Sequence, residues 1–468
     1  MLSRSTLGRN GPRALRKQCT AQPLGNRGMA AAAAPQAKGF QYESGEAAGV
    51  KFASRDLPGP TTTLKVVAKA GSRYQPFFGY SEALAKFAFL STTKRSALRI
   101  TRESELLGGE LSSNHSRENI VLSARFLSED LPYFTELLGE VVSSTKYASH
   151  EMNEQVLNLI NFSQRDLTSS PADLALSSAH GVAFHHGLGE QPTPTPGNPI
   201  TKYLTVEGLA EYAQGAYAKP SLAVVASGAN SADVSKWVGQ FFKDVPAGPS
   251  SSAFKPLESK PTQYFGGEER IANTAGNAVV IAFPGSASFG TAGSAYKPEV
   301  AVLAALLGGQ SSIKWSTGSS LLSKAVEAYP LANVRTNHVS YSDAGLLYVT
   351  VTGGAEHVGK ASKSVVDTLK KVAAGEVSAE DVKRATALAK FRTLEAGQAL
   401  DTGMELTGTG LLHGGKPFQI AEVGQSIDSV TEQQVKNAAK SLLSNKASVS
   451  SVGDLSHLPY ASDLGLSI

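Results

Sequence analysis

Residues 62–90 read Thr-Thr-Leu-Lys-Val-Val-Ala-Lys-Ala-Gly-Ser-Arg-Tyr-Gln-Pro-Phe-Phe-Gly-Tyr-Ser-Glu-Ala-Leu-Ala-Lys-Phe-Ala-Phe-Leu. The first nine residues alternate and are rich in Val and Thr, which predicts a strand over 62–70. The Gly-Ser and Pro that follow break it, and the Ala/Leu-rich stretch 80–90 predicts a helix. Working outward, residues 119–126 (NIVLSARF) predict a second strand. From Ser128 a helix follows, with Leu131, Phe134, Leu137, Leu138, Val141 and Val142 on one face.

The same order recurs about 210 residues later. Residues 277–283 (NAVVIAF) predict a strand, 298–307 and 319–328 helices, 345–352 (GLLYVTVT) a strand and 355–373 a helix. The ends of the two halves match as well. Thr205-Val-Glu opens a helix leading to a strand at 222–227 and Gly228, and Ser429-Val-Thr-Glu opens one leading to a strand at 447–452 and Gly453. Between the halves, Pro246-Ala-Gly-Pro-Ser-Ser-Ser-Ala-Phe-Lys-Pro256 and Pro261 have the composition of a linker. A repeat this large is a domain duplication, because solenoid periods run from about 20 to 50 residues. The expected fold class is α+β: two homologous α/β-sandwich domains with mixed, mostly antiparallel sheets covered by helices. The expected boundaries are 37–245 for the first domain, 246–264 for the linker and 265–468 for the second.

Composition narrows the function. The first 42 residues hold no Asp or Glu, while Arg4, Arg9, Arg13, Arg16, Lys17 and Arg27 stand among Ser, Leu and Ala. No continuous apolar core interrupts them, so residues 1–36 read as a mitochondrial transit peptide rather than a secretory signal. The plainer reading is a basic tail. The formal charge of +4 comes from this segment, since removing residues 1–29 leaves 38 basic against 40 acidic residues. A nucleic-acid role is therefore not implied. The single cysteine, Cys19, lies in the same segment, which excludes disulfides, thiolate zinc sites, iron–sulfur clusters and cysteine nucleophiles from the remainder. The longest purely apolar stretches, such as residues 301–307, fall far short of the roughly 20 residues of a membrane span, so membrane association is expected to be peripheral.

Ala70-Gly-Ser-Arg73, then Gly79-Tyr-Ser-Glu-Ala-Leu-Ala-Lys-Phe-Ala-Phe-Leu90, then Ser91-Thr-Thr-Lys-Arg95 resemble the first-domain signature of the pitrilysin-type zinc peptidases. That family includes the mitochondrial processing peptidase and the core proteins of ubiquinol–cytochrome c reductase. Active members carry His-x-x-Glu-His on this helix. Its two His, one turn apart on one face, bind zinc and its Glu activates water. A further Glu ligand comes from a downstream helix. Against that motif the resemblance sets Glu82 at the first His, Ala85 at the general base and Lys86 at the second His. Matching Val156-Leu157 of the downstream helix puts the last ligand near Ile160, and slippage of a few residues reaches only Glu154 or Asn161. Catalytic zinc needs three protein ligands and a water, and a Lys ammonium repels a divalent cation. No metal, cofactor or catalytic residue is therefore expected. Glu82 and Lys86 stand at i, i+4, and their plain reading is a solvated or interface salt bridge worth about 0.2–0.5 kcal/mol.

Two other constellations have plain structural readings. His180, His185, His186 and Glu190 include competent metal ligands, but the resemblance places them at a helix end and loop that is structural in the family. Gly308-Gly-Gln-Ser-Ser-Ile-Lys-Trp-Ser-Thr-Gly-Ser-Ser320 lacks the Gly-Lys-Ser/Thr ending of a phosphate loop. It matches instead a glycine-containing loop in the family's second domain.

That segment, residues 337–346 (NHVSYSDAGL), the stretch 427–440 and Gly453-Asp-Leu-Ser-His-Leu-Pro459 are similar to the core-protein branch. The resemblance implies a non-catalytic structural subunit of respiratory complex III, needed for its assembly and stability. It implies core protein 1, cytochrome b, cytochrome c1 and the Rieske protein as partners, on the matrix side of the mitochondrial inner membrane. The alternative is the α subunit of the processing peptidase, which handles presequences with a strongly glycine-rich loop. Ile313, Lys314 and Trp315 dilute that loop here.

Overall fold

A computed structural model describes residues 41–248, 262–291, 295–311 and 318–468. The expected leader 1–36, most of the expected linker 246–264 and residues 312–317 of the Gly308–Ser320 loop lie outside the described residues. Those described belong to one unit, Phe40–Ile468.

Among the described residues, eleven strands build two sheets. β1 (Glu43–Ala47), β2 (Val50–Arg55), β3 (Thr61–Ala68), β4 (Glu110–His115), β5 (Ile120–Leu127) and β6 (Leu222–Ser227) form the first. Its order is β1-β2-β6-β3-β5-β4, parallel only between β2 and β6. β7 (Gly267–Ala272), β8 (Asn277–Pro284), β9 (Ala332–Ser340), β10 (Gly345–Gly353) and β11 (Ser448–Gly453) form the second. Its order is β7-β11-β8-β10-β9, parallel only between β7 and β11. Without β1, the two sheets have the same order and the same strand senses. This bears out the duplicated, mixed and mostly antiparallel fold expected from the repeat.

Both faces of the central strands are covered, which is why they read as nearly unbroken apolar runs. On one face of the first sheet, Leu64, Val66, Leu122, Val224 and Ala226 meet the helices Tyr80–Phe87, Leu131–Ser144 and Ser231–Phe241. On one face of the second, Val279, Ile281, Val349 and Val351 meet Pro298–Leu307 and Ala355–Ala374. The opposite faces are covered by exchange between the halves. The helix Leu400–His413 lays Met404 and Leu411 on Ala53, Ala223 and Val225 of the first sheet. The helix Pro171–Phe184 lays Leu174, Ala175, Ala179 and Ala183 on Ala278, Val280, Ala282 and Leu346 of the second. Gly408 makes the first of these contacts close: a Cβ there would stand 2.5 Å from Val67 Cγ2. The helix rests its bare backbone on β3, and any side chain at 408 would push it away.

The strands that sequence periodicity missed are β1, β2, β4, β7 and β9. β1, β4, β7 and β9 are edge strands. Their polar composition (Glu-Leu-Ser-Ser-Asn-His in β4) protects an edge from unwanted pairing and hides it from a hydrophobic pattern. The helix expected over 319–328 is realised only as Leu321–Ala325.

Candidate functional site

Gly79, at φ 90°, turns the chain into the helix Tyr80–Phe87. The helix is pinned on all sides. Tyr80 Oη donates to Tyr203 O at 2.8 Å, Ser81 Oγ to Ala70 O at 2.7 Å, and Tyr212 Oη to the same carbonyl at 2.8 Å. Ser113 Oγ of β4 donates to Ala85 O at 2.7 Å. Every residue of the helix except Lys86 is buried.

Glu82 is therefore not the solvated member of a surface pair. It is fully buried, and among the described residues neither carboxylate oxygen has a hydrogen-bond partner of normal geometry. Burial pushes its carboxyl up to about 7, partly offset by the Ser163 hydroxyl and the Lys86 ammonium. The salt bridge expected from the i, i+4 spacing is replaced by a desolvated acid with a cation one turn away. The reason is tertiary: helix spacing sets which residues share a face, but not whether that face meets water. Ala85 is buried and Lys86 half-buried. His115, at the end of β4, is held down to about 4 by burial and by the Lys86 charge, so it is neutral.

The downstream segment starts with a π-helical turn, Met152–Val156, and continues as the helix Leu157–Ser169. Ile160 is fully buried, while Glu154 and Asn161 are exposed. The donor set facing this spot, one buried carboxyl with an ammonium beside it, does not fit a catalytic zinc ion. Among the described residues, no three His, Cys, Asp or Glu side chains are grouped to hold a metal.

The histidine-rich segment separates on folding. His180 is buried in its helix, with Nδ1 donating to Leu176 O at 2.8 Å and Nε2 accepting from Tyr341 Oη at 2.9 Å. His185 stacks on Phe265 with ring centroids 4.2 Å apart. The His186 side chain is exposed and stands 3.9 Å from Glu190. At the base of the Gly308–Ser320 loop, Ser320 Oγ accepts from Gly309 N at 3.1 Å and donates to Gly309 O at 2.9 Å.

A polar cluster that sequence patterning does not reveal joins the two halves. Arg73, from the loop after β3, bonds Glu118 at 2.9 Å and grips Asp343 of the second half with both terminal nitrogens, at 2.7 and 2.6 Å. Ser342 N and Oγ donate to Glu118, and Thr262 donates twice to Asp343. Nearby, Arg117 Nη1 donates to Leu188 O and Glu190 O at 2.8 and 2.6 Å. A second link runs from Lys65, buried in mid-strand, to Asp401 at 3.0 Å and Glu405 at 3.3 Å. The available signal is a lysine between Leu64 and Val66 in the apolar stretch of β3. Such a residue needs a partner from elsewhere in the fold.

A duplicated α/β scaffold of this order and these strand senses defines a homologue of the zinc peptidases. The Insulinase (Peptidase family M16) model matches residues 51–195, and the Peptidase M16 inactive domain model matches 203–388. A Neurospora crassa protein named cytochrome b-c1 complex subunit 2, mitochondrial, is 52% identical over the whole of both chains. The protein of that name from Schizosaccharomyces pombe is 35% identical over 91% of this chain and 96% of its own. The human one is 28% identical over 89% and 90%. The chain belongs to the cytochrome b-c1 complex subunit 2 family of M16 peptidase-like proteins, within the core-protein branch anticipated from its sequence.

Proposed function

We propose that this chain is core protein 2 of mitochondrial respiratory complex III, a structural subunit that supports the complex during electron transfer from ubiquinol to cytochrome c. The observation that supports the reading is the helix Tyr80–Phe87: Glu82 and Ala85, which with Lys86 this reading sets at the zinc-motif positions, are packed as core rather than opened as a site. In this reading residues 1–36 are a transit peptide. The domains span 37–245 and 265–468, joined by 246–264. The chain pairs with core protein 1 and supports cytochrome b, cytochrome c1 and the Rieske protein from the matrix side. Among the described residues no helix is long and apolar enough to cross a membrane, which supports peripheral attachment.

The test is affinity purification of the tagged full-length protein from detergent-solubilised mitochondria. Co-purification of haem b and haem c in stoichiometric amounts is expected, and N-terminal sequencing of the recovered chain is expected to begin near residue 37. A soluble heterodimer free of haem would overturn the reading in favour of a processing-peptidase subunit.

The triple variant Glu82→His, Ala85→Glu, Lys86→His is expected to bind no stoichiometric zinc and to cleave no peptide when zinc is added. Its last ligand position would still hold the apolar, buried Ile160. Metal analysis and a fluorogenic peptide assay check this. Zinc-dependent turnover by the variant would show that the last ligand lies elsewhere.

A further inference from the structure

A cavity of about 550 Å³ opens in the second half, away from the motif helix. It lies among the helices Ala379–Gln398, Leu400–His413 and Ile420–Asp428, beside Ser286, Phe289, Thr291, Tyr296 and Lys297. Its walls include half-buried Phe289, Leu406 and Phe418, backed by the core of that half. The charged residues at its lining are Lys297, Arg392 and Lys416, all exposed, and no Asp or Glu lines it. The neighbouring cations Arg384 and Lys390 are already paired, with Asp381 and Asp428. Lys297, Arg392 and Lys416 form no ion pair among the described residues. Glu299, the nearest acid by sequence, lines an adjoining smaller cavity.

We propose that this cavity binds a single-chain amphiphile with an anionic head, a long-chain fatty acid carboxylate. An apolar floor with a few cations at the mouth matches one acyl chain ending in a negative group. The volume falls in the range of roughly 300–1,000 Å³ typical of sites for one small ligand. Low-dielectric walls strengthen the field of the three cations and select the sign of the head group. The same field repels Arg-rich segments, so a basic peptide is not the occupant.

The experiment uses the full chain with a sixteen-carbon fatty acid carrying a photoreactive diazirine, with labelled peptides mapped by mass spectrometry. Saturable labelling is expected within residues 286–301 and 392–427. Unlabelled palmitate should displace the probe, and hexadecanol or a hexadecyl trimethylammonium salt should do so about tenfold less well. Two variants should each lose about tenfold in labelling with an unchanged melting temperature. Leu406→Trp fills the floor, and the combined Lys297→Glu, Arg392→Glu, Lys416→Glu variant reverses the mouth while leaving the packed walls intact. The proposal is overturned by labelling that does not saturate or lies elsewhere, by equal competition from the cationic amphiphile or a short acidic peptide, or by undiminished labelling of the charge-reversed variant.

Discussion

Arg73→Ala is expected to destabilise the protein by about 3–5 kcal/mol, the largest effect of any single substitution considered. The guanidinium is 4% exposed and Glu118 7%, so the pair stands outside the solvent screening that weakens surface salt bridges. Burial works against charge on Arg73, but the hydrogen bonds and charge of Asp343, with Glu118, hold it firmly protonated. Burial pushes Glu118 up, with the Ser342 hydroxyl and then the Arg73 charge opposing the shift. Removing Arg73 leaves Glu118 buried without its cation, and an uncompensated buried charge carries a penalty of that size. It also frees Asp343, which together with the Ser342 hydroxyl is how this cation reaches the second half. Asp343→Asn should cost less, because that side chain is 33% exposed and keeps hydrogen-bonding capacity toward Thr262. Urea denaturation of both variants, followed by circular dichroism, checks the ranking. Equal losses, or a loss under about 1 kcal/mol for Arg73→Ala, would mean that the cluster is not the tie between the halves.

The second large effect is a pH dependence belonging to Glu82. Its folded-state carboxyl lies at about 7, above the ordinary 4.5, chiefly through burial. A carboxyl raised on folding contributes stability that is present below its unfolded value and lost as pH rises through the folded one. The window is therefore roughly pH 4.5–7, and the loss across it is on the order of 3 kcal/mol. Glu82→Gln cannot ionise, so its stability relative to the parent should climb through that window and level off near pH 8. The slope is the informative quantity, because a buried amide at 82 inherits the same unmet hydrogen bonds. Denaturation curves at pH 5, 6, 7 and 8 would settle it. Parallel profiles for the two proteins would place the Glu82 carboxyl in contact with water or with a partner that keeps it ionised.

Sequence alone carried the architecture because the information was local and repeated. The alternating apolar run at 62–70 and its counterpart at 277–283 mark the central strands, which became β3 and β8. The matched helix–strand ends before Gly228 and Gly453 mark the same last unit twice. The chemistry of the residues that the resemblance sets against the zinc motif is likewise local, since ligand chemistry depends on residue type. Glu, Ala and Lys at 82, 85 and 86 already exclude the pair of imidazoles.

What sequence could not supply was the environment of those residues. Glu82 and Lys86 at i, i+4 predict a pair, and only the packing of the helix against β4 and its neighbours turns Glu82 into a desolvated acid. The histidines at 180, 185 and 186 are adjacent in the chain but go to Tyr341, to Phe265 and to solvent. Pro171–Phe184 and Leu400–His413 each cross to the other half's sheet, and the Arg73–Glu118–Asp343 cluster joins groups 224 to 270 residues apart. Periodicity reports which side of an element is apolar. It carries no record of which distant surface meets that side, because the free energy of that choice resides in burial and charge pairing created only when the two halves close on each other.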